Sequence, residues 1–567
     1  MEERRGMGRG QRYAAAGMLL TFFSCFFLAA GDATPCGTDS NRGIKVFVTS
    51  DIHGNIFENP GKRQIGFARL LGYMDAARRD GYEAVLMDAG DAFSGSAVAQ
   101  FDSGRSVAAA MGRMGYRILS PGNHAFDYNA FTGDSLYYPN TLLHIVREMS
   151  DGPFAAVCLN LAVDGASVPG IAMEPVVVSE TNGIRLVACG VLTPYAGRAL
   201  SPSSVLGYDF GLVEREGAPD HAATRAAIHD RLRSAVCRYD RPGDIVLVLS
   251  HVGCDDTPDY ANGEIGGRDF ACIPNVDIVV DAHSHNFVPA QRICRAWYGN
   301  PGRYLEHVVE ITITREGEDI RTVMEIRDYA DLANVRESAA MLDFLRSVSD
   351  RLGLGDRLFQ LGEELSFTDA GIQEGSTVLG RFLCREMAAA TGADLALYNS
   401  GGIRAGFVPG WVTVGDIYDS IPFQNNLVVA SMTGAEIHDL FDPMPDTGTN
   451  AFPQLYGMTV YAWPDDGALR AVGILDRDGL PLAPERTYDV ALNSFMLYGG
   501  DGYVFSTATA AAARDHGDCV VLLVNSLRGR DAIELEALAE NRALLVFPDR
   551  SAAEDAWDAA RTVFPEI

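Results

Sequence analysis

Five apolar segments of the sequence each end on side chains that bind metal ions in other proteins. Their length and β-branched content are typical of buried strands, and open α/β sheets place their functional sites at the carboxyl ends of strands. The segments are Ile44 to Asn55, Glu83 to Asp91, Tyr116 to Asp127, Ile245 to His251 and Val276 to His285. The donors at their ends are Asp51, His53, Asp91, Asn123, His251, His283 and His285. A single strand ending in Asp-x-His is more often a simple turn, but five such endings predict one shared metal centre.

The donor set indicates which metals would bind. It offers carboxylate, imidazole and amide donors without sulfur, which suits two divalent ions such as zinc, manganese or cobalt and differs from the all-oxygen cages of calcium. Two ions about 3.5–4 Å apart need a shared ligand, and the carboxylate of Asp91 is the candidate bridge. Two cations lower the pKa of a shared water and polarise a phosphoryl oxygen, so the set predicts attack of an activated hydroxide on a phosphate ester.

A candidate catalytic pair follows the third segment. His124 comes directly after Asn123, and Asp127 lies three residues further along. On a tight turn, this spacing lets the carboxylate accept a hydrogen bond from the imidazole and fix one tautomer. His124 would then stabilise the phosphoryl charge or protonate the leaving alkoxide. The alternative is that His124 only caps a loop, which is the commoner role of a single histidine.

Length and charge restrict the architecture and the partners. The chain has 567 residues and a formal net charge of −29. This length exceeds what one core supports and predicts two domains. The charge argues against binding to a nucleic-acid polymer, because no basic surface is available to displace counterions. An anionic small substrate requires bound cations that reverse the local sign.

Residues 1–35 form a separate segment. Four arginines precede an apolar run from Ala14 to Ala30, and small residues follow it. This pattern is typical of a secretory signal peptide, so we expect an exported protein, either periplasmic or at the cell surface. A retained N-terminal anchor, or a lipid on Cys25, would instead attach the protein to a membrane.

The cysteines give a weaker signal. Ten are scattered without a Cys-x-x-Cys pair, so a thiolate zinc site is not expected. Cys254 and Cys272 bracket a polar loop, and in an exported protein they are candidates for a disulfide.

The order of the predicted elements indicates the fold class. Strands alternate with helices, such as Ile65 to Arg78 and His221 to Tyr239, up to about residue 328, which predicts a layered α/β domain. Ala333 to Leu352 has the spacing of a helix that connects two domains. A second domain is predicted from Asp356 onward, with a helix over Thr377 to Thr391.

The ordered motifs resemble the metallophosphoesterase domain of the 5′-nucleotidase family, whose members include periplasmic UDP-sugar hydrolases and surface ecto-5′-nucleotidases. The matching motifs are Asp51-x-His53, Gly90-Asp91, Gly122-Asn123-His124-x-x-Asp127, His251 and His283-x-His285. The resemblance covers nearly all of the chain after the signal. It implies a layered αββα metallophosphoesterase domain at 36–330, a linker helix at 331–355 and a smaller α/β C-terminal substrate-binding domain at 356–567.

The resemblance also implies how the ligands divide between the two metals. The first ion would take Asp51, His53, Asp91 and His285, and the second would take Asp91, Asn123, His251 and His283. His124 and Asp127 match the catalytic pair of the family. Two positions depart from the family pattern, namely Ala125 in place of the usual Glu and Ala282 in place of the usual Gly.

In the family, two aromatic rings of the second domain enclose the nucleoside base. The residues that match this substrate site are Asn399, Arg404, Phe423, Asn425, Phe495 and Asp501. Asp501, in a glycine-rich loop, could accept hydrogen bonds from ribose hydroxyls. Taken without the resemblance, each phenylalanine would be a core residue, and Arg404 would form a surface ion pair.

One part of the substrate site does not match. The family places one or two arginines just before the helix that begins near Thr377, whereas Glu363 to Gly380 contains neither Arg nor Lys. Gln373 falls near where one arginine would stand, and Arg381 is a doubtful replacement because it lies within the helix. Loss of a bidentate guanidinium weakens the binding of phosphate or carboxylate.

The sequence therefore predicts an exported dimetal phosphohydrolase that acts on nucleotides, resembling a 5′-nucleotidase. The alternatives are a 2′,3′-cyclic nucleotide phosphodiesterase or a UDP-sugar pyrophosphohydrolase with the same centre. A protein of a different class, which binds nucleosides at the cell surface without turnover, would be expected to lack a metal ligand, and none is missing.

Overall fold

The structure is a computed structural model that describes residues 42–127, 154–200, 205, 207–239, 241–253, 264–423, 425–445, 448–530 and 543–562. The predicted signal peptide, Cys25 and Cys254 lie outside the described residues. Residues Asn41–Ile567 belong to one compact unit. Among the described residues, no helix combines the length and the apolar character needed to span a membrane.

The first half of the chain builds two large sheets. In spatial order, the seven-stranded sheet contains Asp319–Asp328, His307–Glu316, Gly43–Thr49, Tyr82–Asp88, Tyr116–Leu119, Ala155–Val157 and Ile171–Ala172. The six-stranded sheet contains Phe287–Ile293, Ala296–Pro301, Ile278–Val280, Asp244–His251, Ile184–Leu192 and Val176–Thr181. All five predicted strands are present, three in the first sheet and two in the second.

Parallel pairing places the strand ends together. Thr49 lies opposite Asp88, and Asp88 lies opposite Leu119 in the first sheet. In the second sheet, Leu249 lies opposite Val280. The polar residues that follow these strands therefore emerge at common sheet edges.

Alternating side chains produce the layers. Val46 and Val48 face inward, in one apolar cluster with Leu247 and Ile278 of the other sheet. Phe47, between them, faces outward in the cluster that includes the helices Phe67–Arg79, Arg105–Met114 and Ala339–Leu352. The helix His221–Val236 covers the other face of the second sheet. The predicted αββα layering is confirmed.

The second half of the chain is also α/β. Its five-stranded sheet contains Pro453–Tyr456, Leu395–Asn399, Thr487–Asn493, Asn426–Thr433 and Arg514–Asp518. Smaller sheets pair Arg357–Leu361 with Gly410–Thr413 and join Met444–Pro445, Ala468–Asp476, Met458–Asp465 and Leu544–Val546. The helices are Asp369–Glu374, Val378–Thr391, Val414–Ser420, Gly434–Leu440, Ser494–Leu497, Thr507–Ala512, Cys519–Leu527 and Arg550–Thr562.

The cysteine pairing differs from the prediction. Cys272 bonds Cys294, with their Cα atoms 5.4 Å apart, so the predicted Cys254–Cys272 disulfide is wrong. Cys272 ends the 3₁₀ helix Gly267–Cys272, which packs against the hairpin of Phe287–Ile293 and Ala296–Pro301. Cys294 occupies the turn of that hairpin, so packing decides the pairing.

Candidate metal centre

Five of the predicted ligands lie in the left-handed region of backbone conformation. The φ angles are 47° at Asp51, 48° at His53, 56° at Asp91, 74° at His283 and 60° at His285. Such a conformation costs about 1–2 kcal/mol per residue, although Asp and His adopt it more readily than most side chains. Its repetition at five residues that follow three strands marks a site where the surrounding structure holds the backbone under strain.

Two glycines make room for this backbone. A Cβ at Gly90 would lie 2.4 Å from Nδ1 of His251, and a Cβ at Gly122 would lie 2.0 Å from Oδ1 of Asp91. Neither space admits a side chain, so the Gly90-Asp91 and Gly122-Asn123 motifs are required by close packing of the ligands.

Asp51, His53 and His285 form the first group of ligands, with donor atoms all within 4.8 Å of one another. Nδ1 of His53 lies 2.9 Å from the carbonyl oxygen of Ser94, which places the proton on Nδ1 and leaves Nε2 bare. Burial lowers the pKa of His53 to about 3, and burial followed by the charge of His53 holds the pKa of His285 well below its usual value. Both rings are therefore neutral ligands at physiological pH.

Asp91, His251 and His283 form the second group, again within 4.8 Å. Nδ1 of His251 lies 2.9 Å from the carbonyl oxygen of Ala89, and its Nε2 lies 2.9 Å from Oδ2 of Asp91. Burial lowers the pKa of His251, but the charge of Asp91 outweighs it and raises that pKa to about 9. The same ionic contact overcomes burial and keeps the pKa of Asp91 well below its usual value.

Asn123 lies beside the second group, with Oδ1 buried and without a hydrogen-bond partner in the described part of the chain. An unsatisfied buried amide oxygen costs about 1–3 kcal/mol, and a divalent cation would satisfy it. The imidazoles, the carboxylates and this oxygen together are a donor set that fits two borderline divalent ions.

The two groups are linked through the backbone. The N–H of His283, from the second group, lies 3.1 Å from each carboxylate oxygen of Asp51 in the first. Burial raises the pKa of Asp51 to about 7. Asp91 lies in the second group, and its bridging role between two ions stays a prediction.

The predicted contact between His124 and Asp127 is formed, and its catalytic role stays a prediction. Nδ1 of His124 lies 2.8 Å from Oδ2 of Asp127, and the His124 ring centroid lies 5.2 Å from that of His53. Burial lowers the pKa of His124, but Asp127 and Asp91 outweigh it and raise that pKa to about 9. The imidazole is thus held beside the first ligand group in a protonated form.

Ser94 is a site residue that sequence reasoning missed. Its hydroxyl donates to Oδ2 of Asp127 at 2.6 Å, while its carbonyl accepts from His53 at 2.9 Å. Ser94 therefore connects the His124–Asp127 pair to the first ligand group. Its position three residues after Asp91 was too weak a signal to single it out.

Two buried carboxylates beneath the centre were also missed. Asp88 accepts from the hydroxyl of Thr49 at 2.7 Å and from the N–H of Gly90 at 2.9 Å. Asp281 accepts from Ser250 at 2.6 Å and from Tyr298 at 3.0 Å. Each acid ends an apolar run, which is the signal that could have identified both. Their hydrogen bonds brace the turns that carry Asp91 and His283.

Part of the predicted substrate site reaches the metal centre. The ring centroid of Phe423 lies 6.0 Å from that of His124, and the guanidinium of Arg404 lies 5.4 Å from the Phe423 ring. Nδ2 of Asn399 donates to Oδ2 of Asp501 at 2.6 Å. The segments that carry Arg404 and Phe423 thus converge beside His124.

The other two substrate candidates are placed differently. Phe495 lies against Gly500, where a Cβ would be 2.4 Å from its ring. The N–H of Asn425 donates to the carbonyl oxygen of Phe423 at 2.9 Å. The carbonyl oxygen of Asn425 accepts from the N–H of Cys519, also at 2.9 Å. In the described part of the chain, the Phe495 ring makes no ring contact with Phe423, so the predicted sandwich stays a prediction.

The fold and the paired ligand groups resemble those of dimetal phosphoesterases. The sequence profile described as calcineurin-like phosphoesterase matches residues 44–287, and the profile described as 5′-nucleotidase, C-terminal domain, matches residues 359–508. The chain belongs to the 5′-nucleotidase family, which combines these two domains and uses two divalent metals.

Individual relatives and a solved structure also resemble this chain. A 5′-nucleotidase of Vibrio cholerae is 22% identical to this chain. The aligned region covers 84% of this chain and 88% of that relative. The endonuclease YhcR of Bacillus subtilis is 23% identical over 91% of this chain, but this chain spans only 41% of that relative, and 32% of another B. subtilis protein, YfkN. The crystal structure of a 5′-nucleotidase precursor from Thermus thermophilus has a TM-score of 0.63 at 20% identity, covering 89% of this chain and 100% of the other.

Proposed function

We propose that this chain is an exported dimetal phosphohydrolase that removes phosphate from nucleotides. The observation that carries the proposal is the convergence of two ligand groups, each within 4.8 Å, beside the His124–Asp127 pair. In this proposal, residues 36–330 hold the catalytic centre, 331–355 form the linker helix and 356–567 bind the substrate.

Asp51, His53, Asp91 and His285 would hold one ion, and Asp91, Asn123, His251 and His283 the other. Two divalent ions, when bound, neutralise phosphoryl oxygens and make water acidic enough to supply a nucleophile near neutral pH. The net charge of −29 makes this local reversal of sign necessary for an anionic substrate.

His124 would act on the substrate itself. Asp127 accepts a hydrogen bond from Nδ1–H of His124 and fixes the ring, and Ser94 orients Asp127. The remaining nitrogen, Nε2, is then the donor for the developing charge on the phosphoryl group or for the leaving oxygen.

Arg404 supports an anionic substrate beside Phe423. Its Nε is buried without a hydrogen-bond partner in the described part of the chain, and a phosphate or ribose oxygen would satisfy it. We propose that Phe423 and Phe495 contact the base, that Asn399 and Asp501 contact the ribose and that Asn425 completes this site.

A substrate panel, with the products separated and identified by chromatography, tests the proposal. The purified protein is loaded with manganese, cobalt or zinc and given AMP, UDP-glucose and 2′,3′-cyclic AMP in parallel. Preferred turnover of AMP, to adenosine and phosphate, supports a nucleotidase. Preference for either of the other two substrates replaces it with a pyrophosphohydrolase or a cyclic phosphodiesterase. Binding of adenosine without turnover of any substrate would contradict the enzymatic proposal.

The inactive reference is Asp91→Asn, which removes a ligand charge, and the matched control is Asp343→Asn, which makes the same change at a side chain that is 77% exposed. Export is tested separately by N-terminal sequencing of the mature protein from the producing cell. Cleavage near residue 35 supports it, and an intact N-terminus on protein recovered only from the cytoplasm contradicts it.

A further inference from the structure

Arg303 lies in a strained loop that is fastened to the first ligand group. Tyr304 and Leu305, the next two residues, both have a φ of 58°. The N–H of Tyr304 donates to the carbonyl oxygen of Asp51 at 2.8 Å, and the carbonyl oxygen of Leu305 accepts from Ile65 at 2.9 Å. Consecutive left-handed residues of this kind persist only where their surroundings enforce them, and they concentrate at functional sites.

A row of rings connects this loop to the proposed substrate site. The Tyr304 ring centroid lies 5.8 Å from that of His53, which lies 5.2 Å from His124, which lies 6.0 Å from Phe423. The guanidinium of Arg303 lies 4.9 Å from the Tyr304 ring at one end, and Arg404 lies 5.4 Å from the Phe423 ring at the other.

Arg303 is partly shielded but has hydrogen-bonding capacity left. Its side chain is 29% exposed. Among the described residues, its hydrogen bond is a single one, from Nη2 to Oδ2 of Asp369 at 3.0 Å. A guanidinium has five N–H donors, so the remaining donors can bind an anion. The charges of both Arg404 and Arg303 also contribute, after burial and His53, to the low pKa of His285.

Arg303 supplies a positive charge that the stretch before the helix Val378–Thr391 lacks. Glu363 to Gly380 supplies no Arg or Lys, and the candidate replacement Arg381 is only 5% exposed and donates to Ser376 at 2.9 and 3.0 Å. The same stretch instead supplies Asp369, which holds Arg303.

We propose that Arg303 binds the terminal phosphoryl group of the substrate and favours dianionic phosphomonoesters over monoanionic diesters. This inference rests on the proposed function, and it assigns a specificity-determining residue to the same site. Asp369 anchors one edge of the guanidinium, and the other edge offers a charged donor pair to phosphoryl oxygens.

The test compares metal-loaded wild type, Arg303→Gln, Arg303→Lys and the control Arg346→Gln, whose side chain is 72% exposed in an equivalent ion pair. For Arg303→Gln we expect KM for AMP and the inhibition constant of inorganic phosphate to rise about tenfold, with kcat within twofold. The kcat/KM for 2′,3′-cyclic AMP should fall by threefold or less. Arg303→Lys should be intermediate, because it keeps the charge but not the fork.

Metal content and the melting temperature are measured on every variant. Constants within twofold of wild type for Arg303→Gln, equal losses for AMP and cyclic AMP, or loss of bound metal would each overturn the inference. Calorimetry of inorganic phosphate binding provides a test that needs no turnover. If wild type releases phosphate from no substrate, the proposed function fails, while the calorimetric comparison still decides whether Arg303 binds phosphate.

Discussion

His53 and His285 face each other through their Nε2 atoms at 3.0 Å. Since Nδ1 of His53 donates to Ser94, its Nε2 directs a lone pair toward the other ring. Two neutral rings in this arrangement either form one hydrogen bond, with Nε2–H of His285 donating to His53, or direct both lone pairs at a cation. The low pKa of each ring excludes an imidazolium near neutral pH, so both rings are available as neutral metal ligands.

Removal of metal is therefore expected to affect both stability and activity. Chelation should abolish phosphate release and lower the melting temperature by several degrees, because an ion that binds only the folded state stabilises it by mass action. Differential scanning calorimetry and a phosphate assay, before and after chelator and after metal is restored, check this. An unchanged melting temperature would contradict the ligand assignment.

Gly122 gives a test of packing at the centre. Gly122→Ala should lower metal affinity and activity at least tenfold, since the new Cβ would fall 2.0 Å from Oδ1 of Asp91. Gly112→Ala is the matched control, because a Cβ there meets nothing within 4 Å and Ala within the helix Arg105–Met114 gains about 0.5–1 kcal/mol. Titration of metal into both metal-free variants, followed by the phosphate assay, measures the difference. Equal metal affinity in the two variants would show that Asp91 does not need this space.

The strand ends could be predicted because the signal is local. An apolar run followed by a metal-binding side chain is visible in the sequence, and parallel pairing brings such ends together whatever the loops between them do. The helix predicted over Ala333 to Leu352 is present from Ala339 to Leu352, and its left-handed end at Gly353 follows from an equally local pattern.

Residues whose roles depend on tertiary contacts were not predictable in this way. Ser94 acts through a carbonyl and a hydroxyl that reach two different partners. Cys294 pairs with Cys272 because a hairpin turn packs on a 3₁₀ helix, and Arg303 meets Asp369 across 66 positions of sequence. None of these contacts leaves a periodic or motif-like signal.

Glu310 offers a pH-dependent test of the sheet that carries Asp51. It is 1% exposed, and it accepts from Tyr73 at 2.6 Å, from Arg327 at 2.9 Å and from Lys45. Burial raises its pKa, but these three hydrogen bonds outweigh burial and lower it below the usual value. A carboxylate with a lowered pKa stabilises the folded state above the unfolded pKa of about 4.3, and this stabilisation is lost as pH falls through the folded value.

We therefore expect Glu310→Gln to cost about 2 kcal/mol at pH 7 and to differ less from wild type as pH falls below about 4. Urea unfolding of the metal-free proteins from pH 7 to below about 4 measures the gap, which is the difference in free energy of unfolding between the variant and wild type. The control is Glu325→Gln, at a 49% exposed side chain paired with the same Arg327, which should change stability by less than about 1 kcal/mol. A gap for Glu310→Gln that is constant with pH would contradict the ionic role.

Asp127 separates the chemical role of His124 from metal binding. Asp127→Asn removes the charge that raises the pKa of His124 and weakens the hydrogen bond at Nδ1, now 2.8 Å long. Turnover of AMP should fall about 100-fold, within the range for loss of general acid–base catalysis, while the metal content measured by mass spectrometry stays at the wild-type level. Asp102→Asn, at a carboxylate that accepts a hydrogen bond from Ser106 and belongs to neither ligand group, should leave both quantities within twofold of wild type. Unchanged turnover in Asp127→Asn would remove the catalytic assignment of the pair, and loss of metal would instead make Asp127 a support for the ligand His53 through Ser94.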